Sequence, residues 1–260
     1  MGELLFIGLG LWDEDDITLK GLKEAKTCDH VFAEFYTSII GVPTEKLEKS
    51  FGKKITVLRR EEIENGERVI DLAKTCKVCL LTGGDPMAAT THVDLRLRAL
   101  EQGIKTRVVH GVSIVSAAAG LLGLQIYKFG RTTTLVNPKK NFFPHSPYEV
   151  IKDNRERGLH SLVLLDIEDG VCMPAHRGIE LLLEIEKERK EDFLKHLVIA
   201  VVSRVSSRSP LIKAHYPHIL LTETFGAPPH CIIVPGKLHC MEAQALVMLA
   251  GAPKELLKHV

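Results

Sequence analysis

The segment VCLLTGGDPMAATTH, residues 78–92, contains an apolar run that ends in two glycines, an aspartate and a proline. Val78 to Thr82 reads as a short buried strand, and residues 93–102 have the apolar spacing of a helix. A strand, a loop and a helix in this order form the repeating unit of a parallel sheet. The segment therefore predicts an α/β fold with a polar loop at the carboxyl end of a strand.

The same alternation continues on both sides of this segment. Strands are predicted at Leu4–Ile7, His30–Tyr36, Ile55–Leu58 and Thr106–Val109, and helices near Leu19–Ala25, Thr44–Ser50 and Ile63–Ala73. The predicted strands are almost continuously apolar, which is typical of a parallel sheet covered by helices on both faces.

After His110 the pattern changes, with a helix rich in alanine and glycine followed by longer strands. The helices are predicted at Ser113–Leu124, Pro147–Arg157, Arg177–Arg189 and Lys237–Leu249, and the strands at Thr132–Val136, Leu159–Ile167, His196–Val205 and Cys231–Val234. This change places a domain boundary near residues 109–113. We therefore expect two α/β domains, residues 1–110 and 111–260.

The composition excludes several classes of protein. The chain has 260 residues, of which 45% are hydrophobic and 26% are charged, which is typical of globular domains. Its 34 Lys and Arg residues against 33 Asp and Glu residues argue against nucleic acid as the main partner. No apolar run is long enough to span a membrane, and the N-terminus lacks the pattern of a secretory signal. We therefore expect a cytoplasmic protein without a membrane partner.

Ligands of α/β sheets bind beyond the carboxyl ends of the strands, so the loops there are the candidate sites. Residues 8–13, GLGLWD, have two glycines of a dinucleotide-binding loop, but a tight turn explains them equally well. In residues 83–92, Asp85 could accept hydrogen bonds from a ligand or cap the next helix. Ser113 has the same two interpretations, and His230 follows Pro228-Pro229 at the start of a strand.

Metal and nucleophile chemistry have less support. Cys76 and Cys79 have the spacing of a zinc-binding pair, but no second pair follows at a suitable distance, so we expect no metal. His215 and His218 lack the glutamate of a zinc protease motif. The sequence contains neither a nucleophile elbow nor a Walker loop, so acyl transfer and phosphoryl transfer are unsupported.

Several motifs together resemble the diphthine synthase family, which belongs to the tetrapyrrole methylase group of S-adenosylmethionine-dependent methyltransferases. They are FIGLGLWDEDDITLKG at 6–21, FAEFYTS at 32–38, LTGGDPMAATTH at 81–92, HGVSIVSAAAG at 110–120, IYKFGRTTTL at 126–135 and PPHCIIVPGKLH at 228–239. The motifs cover the chain almost from end to end. Their combination is more specific than the short GDP motif, which identifies only the wider group.

The resemblance implies two α/β domains with S-adenosyl-L-methionine bound in the cleft between them, and a homodimer. The motif positions that it implies for cofactor binding are Leu11, Asp85, Ala88, Ser113, Ile114, Leu165, Val205 and His230. Val205 stands where the family usually has a smaller residue, and Gly83 stands where proline is common before GDP. The implied substrate is translation elongation factor 2, whose aminocarboxypropyl-histidine would be trimethylated on its amino group.

A sulfonium methyl group is already an activated electrophile, so the reaction depends mainly on positioning the amine, and we assign no catalytic residue. The substrate carboxylate could bind Lys139, Lys140 or Lys237. Aromatic faces for the methylated cation could come from residues that could equally be core, namely Tyr127, Phe142, Phe143 and Tyr148. Two alternatives remain open: a methyltransferase acting on a tetrapyrrole, and a non-catalytic binding module.

Overall fold

The computed structural model describes residues 2–140 and 142–258 of the chain. The chain divides into two compact units. Unit 1 comprises Met1–Ile114 with Ser206–Arg208, and unit 2 comprises Val115–Val205 with Ser209–Val260. The domain limits 1–110 and 111–260 stay a prediction.

Unit 1 contains a five-stranded sheet and the helices that connect its strands. The strands are β1 (Glu3–Gly8), β2 (His30–Glu34), β3 (Thr56–Val57), β4 (Lys77–Thr82) and β5 (Lys105–Val109). The helices are α1 (Leu19–Lys26), α2 (Thr44–Phe51), α3 (Arg60–Asn65), α4 (Glu67–Ala73) and α5 (His92–Glu101). All strand pairs are parallel, in the order β3-β2-β4-β1-β5. The α/β fold class is thus confirmed.

The sheet of unit 1 is covered on both faces, as the continuous apolar strands require. Leu4 and Phe6 of β1 face one buried cluster, which includes residues of α3, α4 and α5. Leu5 and Ile7 face the other cluster, which includes residues of α1 and α2. Because neighbouring residues of a strand point to opposite faces, a strand buried on both faces has no polar alternation.

The strand order brings three loops side by side. The central strand β1 lies between β4 and β5, and all three run in the same direction. The loops that follow them, beginning at Leu9, Gly83 and His110, therefore leave the same edge of the sheet, which we call the carboxyl edge. This is the position at which ligands bind to open parallel sheets.

Unit 2 contains a second five-stranded sheet and a small hairpin. Its strands are β6 (Thr133–Leu135), β7 (Ser161–Leu165), β8 (Ile167–Glu168), β9 (Val171–Cys172), β10 (Ile199–Ser203), β11 (Leu211–His215) and β12 (His230–Val234). Its helices are α7 (Ser146–Glu156), α8 (Ala175–Glu188), α9 (Pro217–Leu220) and α10 (Cys240–Ala250). A further helix, α6 (Ile114–Leu122), begins at Ile114, which is the last residue of the main segment of unit 1.

The second sheet is mainly antiparallel. Its order is β11-β10-β12-β7-β6, and only β6 and β7 pair in parallel. Helices α7 and α8 pack on one face, where Tyr148, Ile151, Ile179 and Leu182 join a buried cluster with Val163 of β7. None of the helices that the structure describes combines the length and apolar composition needed to cross a bilayer.

Three elements differ clearly from the sequence-based expectation. The helix expected near Ile63–Ala73 is two helices, because Gly66 has a φ of 69° and interrupts the helical path. The strand β11 was not predicted, because LIKAH is short and half-buried and follows the polar segment SSRSP. The long strand expected at Leu159–Ile167 is shorter, and only Ser161–Leu165 pair in the main sheet.

Candidate functional site

The three loops at the carboxyl edge of unit 1 meet through glycine backbone. The N–H of Gly84 donates to the carbonyl of Gly10 at 2.6 Å, and the N–H of Gly10 donates back at 3.3 Å. A Cβ on Gly8 or on Gly111 would lie 2.5 or 2.3 Å from the Gly84 oxygen. No other residue type permits such an approach, so the glycines are needed to bring the loops together.

Asp85 ties two of these loops to each other. Its Oδ1 accepts the N–H of Met87 at 2.9 Å, and its Oδ2 accepts the N–H of Gly111 at 3.3 Å. The same Oδ2 lies 2.7 Å from Nδ1 of His110. Asp85 does not cap α5, whose N-cap residue is Thr91. Because a carboxylate has about four acceptor positions, these three contacts leave room for a ligand.

The other predicted site residues of unit 1 lie on the same loops. Leu11 follows Gly10, and its N–H donates to Asp16 Oδ2 at 3.2 Å. Ala88 closes a turn in which its N–H donates to the Asp85 carbonyl at 3.2 Å. Ser113 and Ile114 lie at the start of α6. The structure therefore brings the five predicted positions of unit 1 together at one edge.

The three predicted positions of unit 2 also lie at a common edge of its sheet. Leu165 ends β7, and His230 begins the neighbouring strand β12. His230 also pairs with Ser203, the last residue of β10, and Val205 follows two residues after Ser203. Leu165 and Val205 are both half-buried.

Arg204 organises the loop that carries Val205. Its guanidinium donates to the carbonyls of Phe225 and Ala227 at 2.7 and 3.1 Å, so it joins this loop to the segment before His230. Arg204 and Ser206 have φ values of 50° and 68°, an uncommon conformation for residues with a Cβ. Val205 therefore lies in a tightly bent segment that its neighbours hold in place.

The imidazole of His230 is held in one orientation. Its Nδ1 lies 3.1 Å from the N–H of Ala175, so Nδ1 is an acceptor and the hydrogen of the neutral ring is on Nε2. Burial lowers the pKa of His230 below its usual range, which favours this neutral form. Because Nε2 of His230 already carries a hydrogen, it can donate a hydrogen bond but cannot accept a proton.

The residues considered for the substrate differ in availability. Lys139, Lys140 and Lys237 are all exposed, but Lys139 pairs with Glu168 at 2.8 Å, which raises the Lys139 pKa. Tyr148 is completely buried and its hydroxyl donates to Glu186 at 3.3 Å, so it is a core residue.

The other aromatic candidates are more accessible. Tyr127 and Phe142 are 78% and 58% exposed, and Phe143 packs partly against the core of unit 2. Exposed rings can offer a face to a cation, so these three residues remain candidates.

Sequence reasoning missed His110 as a partner of Asp85. The two residues are 25 positions apart, and only the strand order places them side by side. The signal that could have found His110 is its place directly after β5, where the strand-end rule applies to it as it does to Ser113.

Comparisons with known proteins agree with this architecture. The sequence model of tetrapyrrole (corrin/porphyrin) methylases matches residues 3–209. A diphthine synthase of Methanosarcina acetivorans is 47% identical over 98% of both chains, and one of Methanocaldococcus jannaschii is 48% identical over 95% of this chain and 98% of its own. The crystal structure of a diphthine synthase superposes with a TM-score of 0.91 at 38% identity, covering 99% of both chains. The chain therefore belongs to the tetrapyrrole methylase family, within its group of diphthine synthases.

Proposed function

We propose that this chain is an S-adenosyl-L-methionine-dependent methyltransferase. Its substrate is translation elongation factor 2, on which it trimethylates the amino group of the aminocarboxypropyl-histidine to give diphthine. The observation that carries this proposal is the 47% identity to a diphthine synthase over 98% of both chains. Bound S-adenosyl-L-methionine supplies an activated methyl group.

The residues at the carboxyl edge of unit 1 fit such a cofactor. Gly84 has a φ of 73°, and a Cβ built on it meets nothing closer than 3.9 Å, so this backbone borders open space. The Thr82 hydroxyl at the end of β4 is buried and has no hydrogen-bond partner among the described residues. Buried polar atoms usually find partners, so these groups suit a polar ligand. The proposed contacts here are Leu11, Asp85, Ala88, Ser113 and Ile114.

Unit 2 contributes further contacts to the proposal, namely Leu165, Val205 and His230. Nε2 of His230 is buried and unpartnered among the described residues. This nitrogen carries a hydrogen, so the ring can donate to a ligand but cannot take a proton from the substrate. We therefore assign His230 to binding and name no catalytic base. An α-amino group with a pKa of about 8 is partly neutral near pH 7 without one.

Cofactor binding is tested by calorimetry of the purified chain with S-adenosyl-L-methionine. Substrate class is then tested with labelled cofactor and two acceptors, unmethylated elongation factor 2 precursor and a free tetrapyrrole. We expect label only in the protein acceptor. Label in the tetrapyrrole alone would show that the substrate is a tetrapyrrole and not elongation factor 2. Failure to bind the cofactor would favour a non-catalytic binding module.

The proposal also includes the cytoplasm as location and a homodimer as the assembled form. The homodimer is supported by two helices that expose apolar side chains. These are Val93, Leu97 and Leu100 on α5, and Met241, Met248 and Leu249 on α10. Apolar patches of this kind on a folded protein often mark interaction surfaces.

A further inference from the structure

Glu34 and His92 form a completely buried pair in unit 1. Glu34 is the last residue of β2 and His92 the first residue of α5, and both side chains are 0% exposed. Glu34 Oε1 lies 3.4 Å from His92 Nε2. The residues belong to the motifs FAEFYTS and LTGGDPMAATTH, and the proposed function gives neither of them a role.

The hydrogen bonds around the pair show which loops it contacts and fix the hydrogen on one histidine nitrogen. His92 Nδ1 lies 3.0 Å from the carbonyl oxygen of Pro86, which can only accept, so Nδ1 carries a hydrogen. Glu34 Oε2 accepts the N–H groups of Tyr36 and Thr37 at 3.1 Å each. The Thr37 hydroxyl donates to Oε1, the same oxygen that faces His92.

Nε2 of His92 faces Glu34 Oε1 at 3.4 Å but makes no hydrogen bond with any residue that the structure describes. The hydrogen bond that His92 does make, from Nδ1 to the carbonyl of Pro86, is therefore the contact through which its ring acts on a neighbouring loop.

The pair joins two loops that are far apart in sequence. Through Glu34 it holds the backbone of the loop after β2, and through His92 it holds Pro86 in the loop after β4. The second loop contains Ala89 at a φ of 57°, an uncommon conformation for a residue other than glycine. Strained loops persist when their surroundings hold them in place, and the bond to Pro86 is one such constraint.

We propose that Glu34 and His92 are a buried positioning pair that holds the loop of Asp85 and Ala88 in the conformation that binds the cofactor. Neither side chain needs to touch the cofactor, because His92 acts on the loop through the carbonyl of Pro86, the residue after Asp85. The functional part of this inference rests on the proposed function, whereas the hydrogen on His92 Nδ1 is a property of the folded chain alone.

Three variants separate the two contacts of the pair. Glu34→Gln can still accept the backbone N–H groups and donate an amide hydrogen to His92 Nε2. His92→Asn places an amide near Nδ1 and keeps the bond to Pro86. His92→Gln reaches towards Glu34 but loses the bond to Pro86. We expect His92→Gln to raise the dissociation constant for S-adenosyl-L-methionine about tenfold, the effect of one buried hydrogen bond, and the other two to raise it less than about threefold.

A second buried His–Glu pair provides the matched control. In unit 2, His160 and Glu242 are 0% and 1% exposed, their Nε2 and Oε1 atoms are 3.0 Å apart, and His160 Nδ1 accepts the N–H of Gly236 at 2.9 Å. His160→Gln removes the equivalent second contact. It should lower the unfolding temperature like His92→Gln but leave the cofactor dissociation constant unchanged.

The experiment combines calorimetry well below every unfolding temperature with nitrogen-15 NMR of the histidine rings. In the unmodified protein we expect Nδ1 of His92 to carry a hydrogen. Among the variants we expect only His92→Gln to weaken cofactor binding about tenfold. An unprotonated Nδ1, unchanged affinity in His92→Gln or an equal loss in His160→Gln would overturn the inference. If the unmodified protein does not bind the cofactor, the proposed function fails, while the NMR result still decides whether His92 Nδ1 carries a hydrogen.

Discussion

At the scale of single residues, Asp85 accepts hydrogen bonds from two loops and retains capacity for a ligand. We expect Asp85→Ala to weaken cofactor binding by about 1.5 to 3 kcal/mol, the range for hydrogen bonds that involve a charged group. The measurement is the dissociation constant for S-adenosyl-L-methionine by calorimetry. Asp71→Ala is the control, because Asp71 is an exposed carboxylate of the same unit with a partner in Lys74.

Unchanged affinity in Asp85→Ala, with the fold intact by circular dichroism, would show that Asp85 only shapes its own turn. An equal loss in Asp71→Ala would point to a general effect of removing negative charge.

His230 gives the second prediction at this scale. Its Nδ1 already accepts the N–H of Ala175, and an asparagine oxygen can occupy a similar position. His230→Asn should therefore keep its turnover at saturating cofactor and lose mainly cofactor affinity. A large drop in kcat that is restored by added imidazole would instead establish that the ring is a general base.

The structure also shows which residues the sequence could indicate. Asp85 stands directly after a predicted strand, so the rule about the carboxyl ends of strands was enough to make it a candidate. His230 stands at the start of a strand, and its role came from the resemblance to a known family. The pairing of Glu34 with His92 and of Asp85 with His110 depends on the strand order β2-β4-β1-β5. Apolar periodicity determines that a segment is a strand, but it carries no information about which strand lies beside it.

At the scale of elements, the start of α10 is anchored by a buried carboxylate. Glu242 accepts hydrogen bonds from Lys128 Nζ, His160 Nε2 and the N–H groups of Gln125 and His239. Burial acts to raise the pKa of Glu242, but these hydrogen bonds outweigh it and lower the pKa to about 2. The shift corresponds to on the order of 3 kcal/mol of stability at neutral pH.

We expect Glu242→Gln to lower the free energy of unfolding by about this amount at pH 7. Because the pKa of the folded state is depressed, the difference from the unmodified protein should be complete above about pH 4.5 and should shrink as the pH falls towards about 2. Urea unfolding at several pH values measures it. A difference that is constant over this range would show that the glutamate acts only by packing.

Element boundaries show a second limit of sequence-based prediction. Apolar spacing located β1, β4 and α5 to within a residue or two, because each packs against the core over most of its length. It did not reveal the break at Gly66, since Val69, Ile70 and Ala73 keep an apparently continuous stripe. A break of this kind depends on backbone conformation and not on side-chain periodicity.

At the scale of the whole molecule, the exposed apolar faces of α5 and α10 predict self-association. We expect sedimentation velocity to give the mass of a dimer at micromolar concentration. Val93→Lys and Met248→Lys place a charge on one face each. The variant that loses the dimer mass identifies the interface, because a charge at a buried apolar contact is costly. A monomer mass for the unmodified protein would remove the homodimer from the proposal and leave the methyltransferase activity untouched.

Trimethylation limits which groups can bind the product, because the third methyl group leaves a permanent cation without an N–H donor. Alanine variants of Tyr127, Phe142 and Phe143 test whether aromatic faces bind that cation. The expected result is accumulation of mono- and dimethylated product in at least one variant, since a cation over a ring gains about 0.5 to 2 kcal/mol. Normal trimethylation by all three would exclude an aromatic site formed by these residues.

The activity itself is tested most directly by intact-protein mass spectrometry of unmethylated elongation factor 2 precursor, incubated with this chain and S-adenosyl-L-methionine. We expect a mass increase of three methyl groups, located on the modified histidine by peptide fragmentation and absent when the cofactor is omitted. An unchanged precursor mass, in the presence of a chain that is folded and binds the cofactor, would show that this chain does not methylate elongation factor 2.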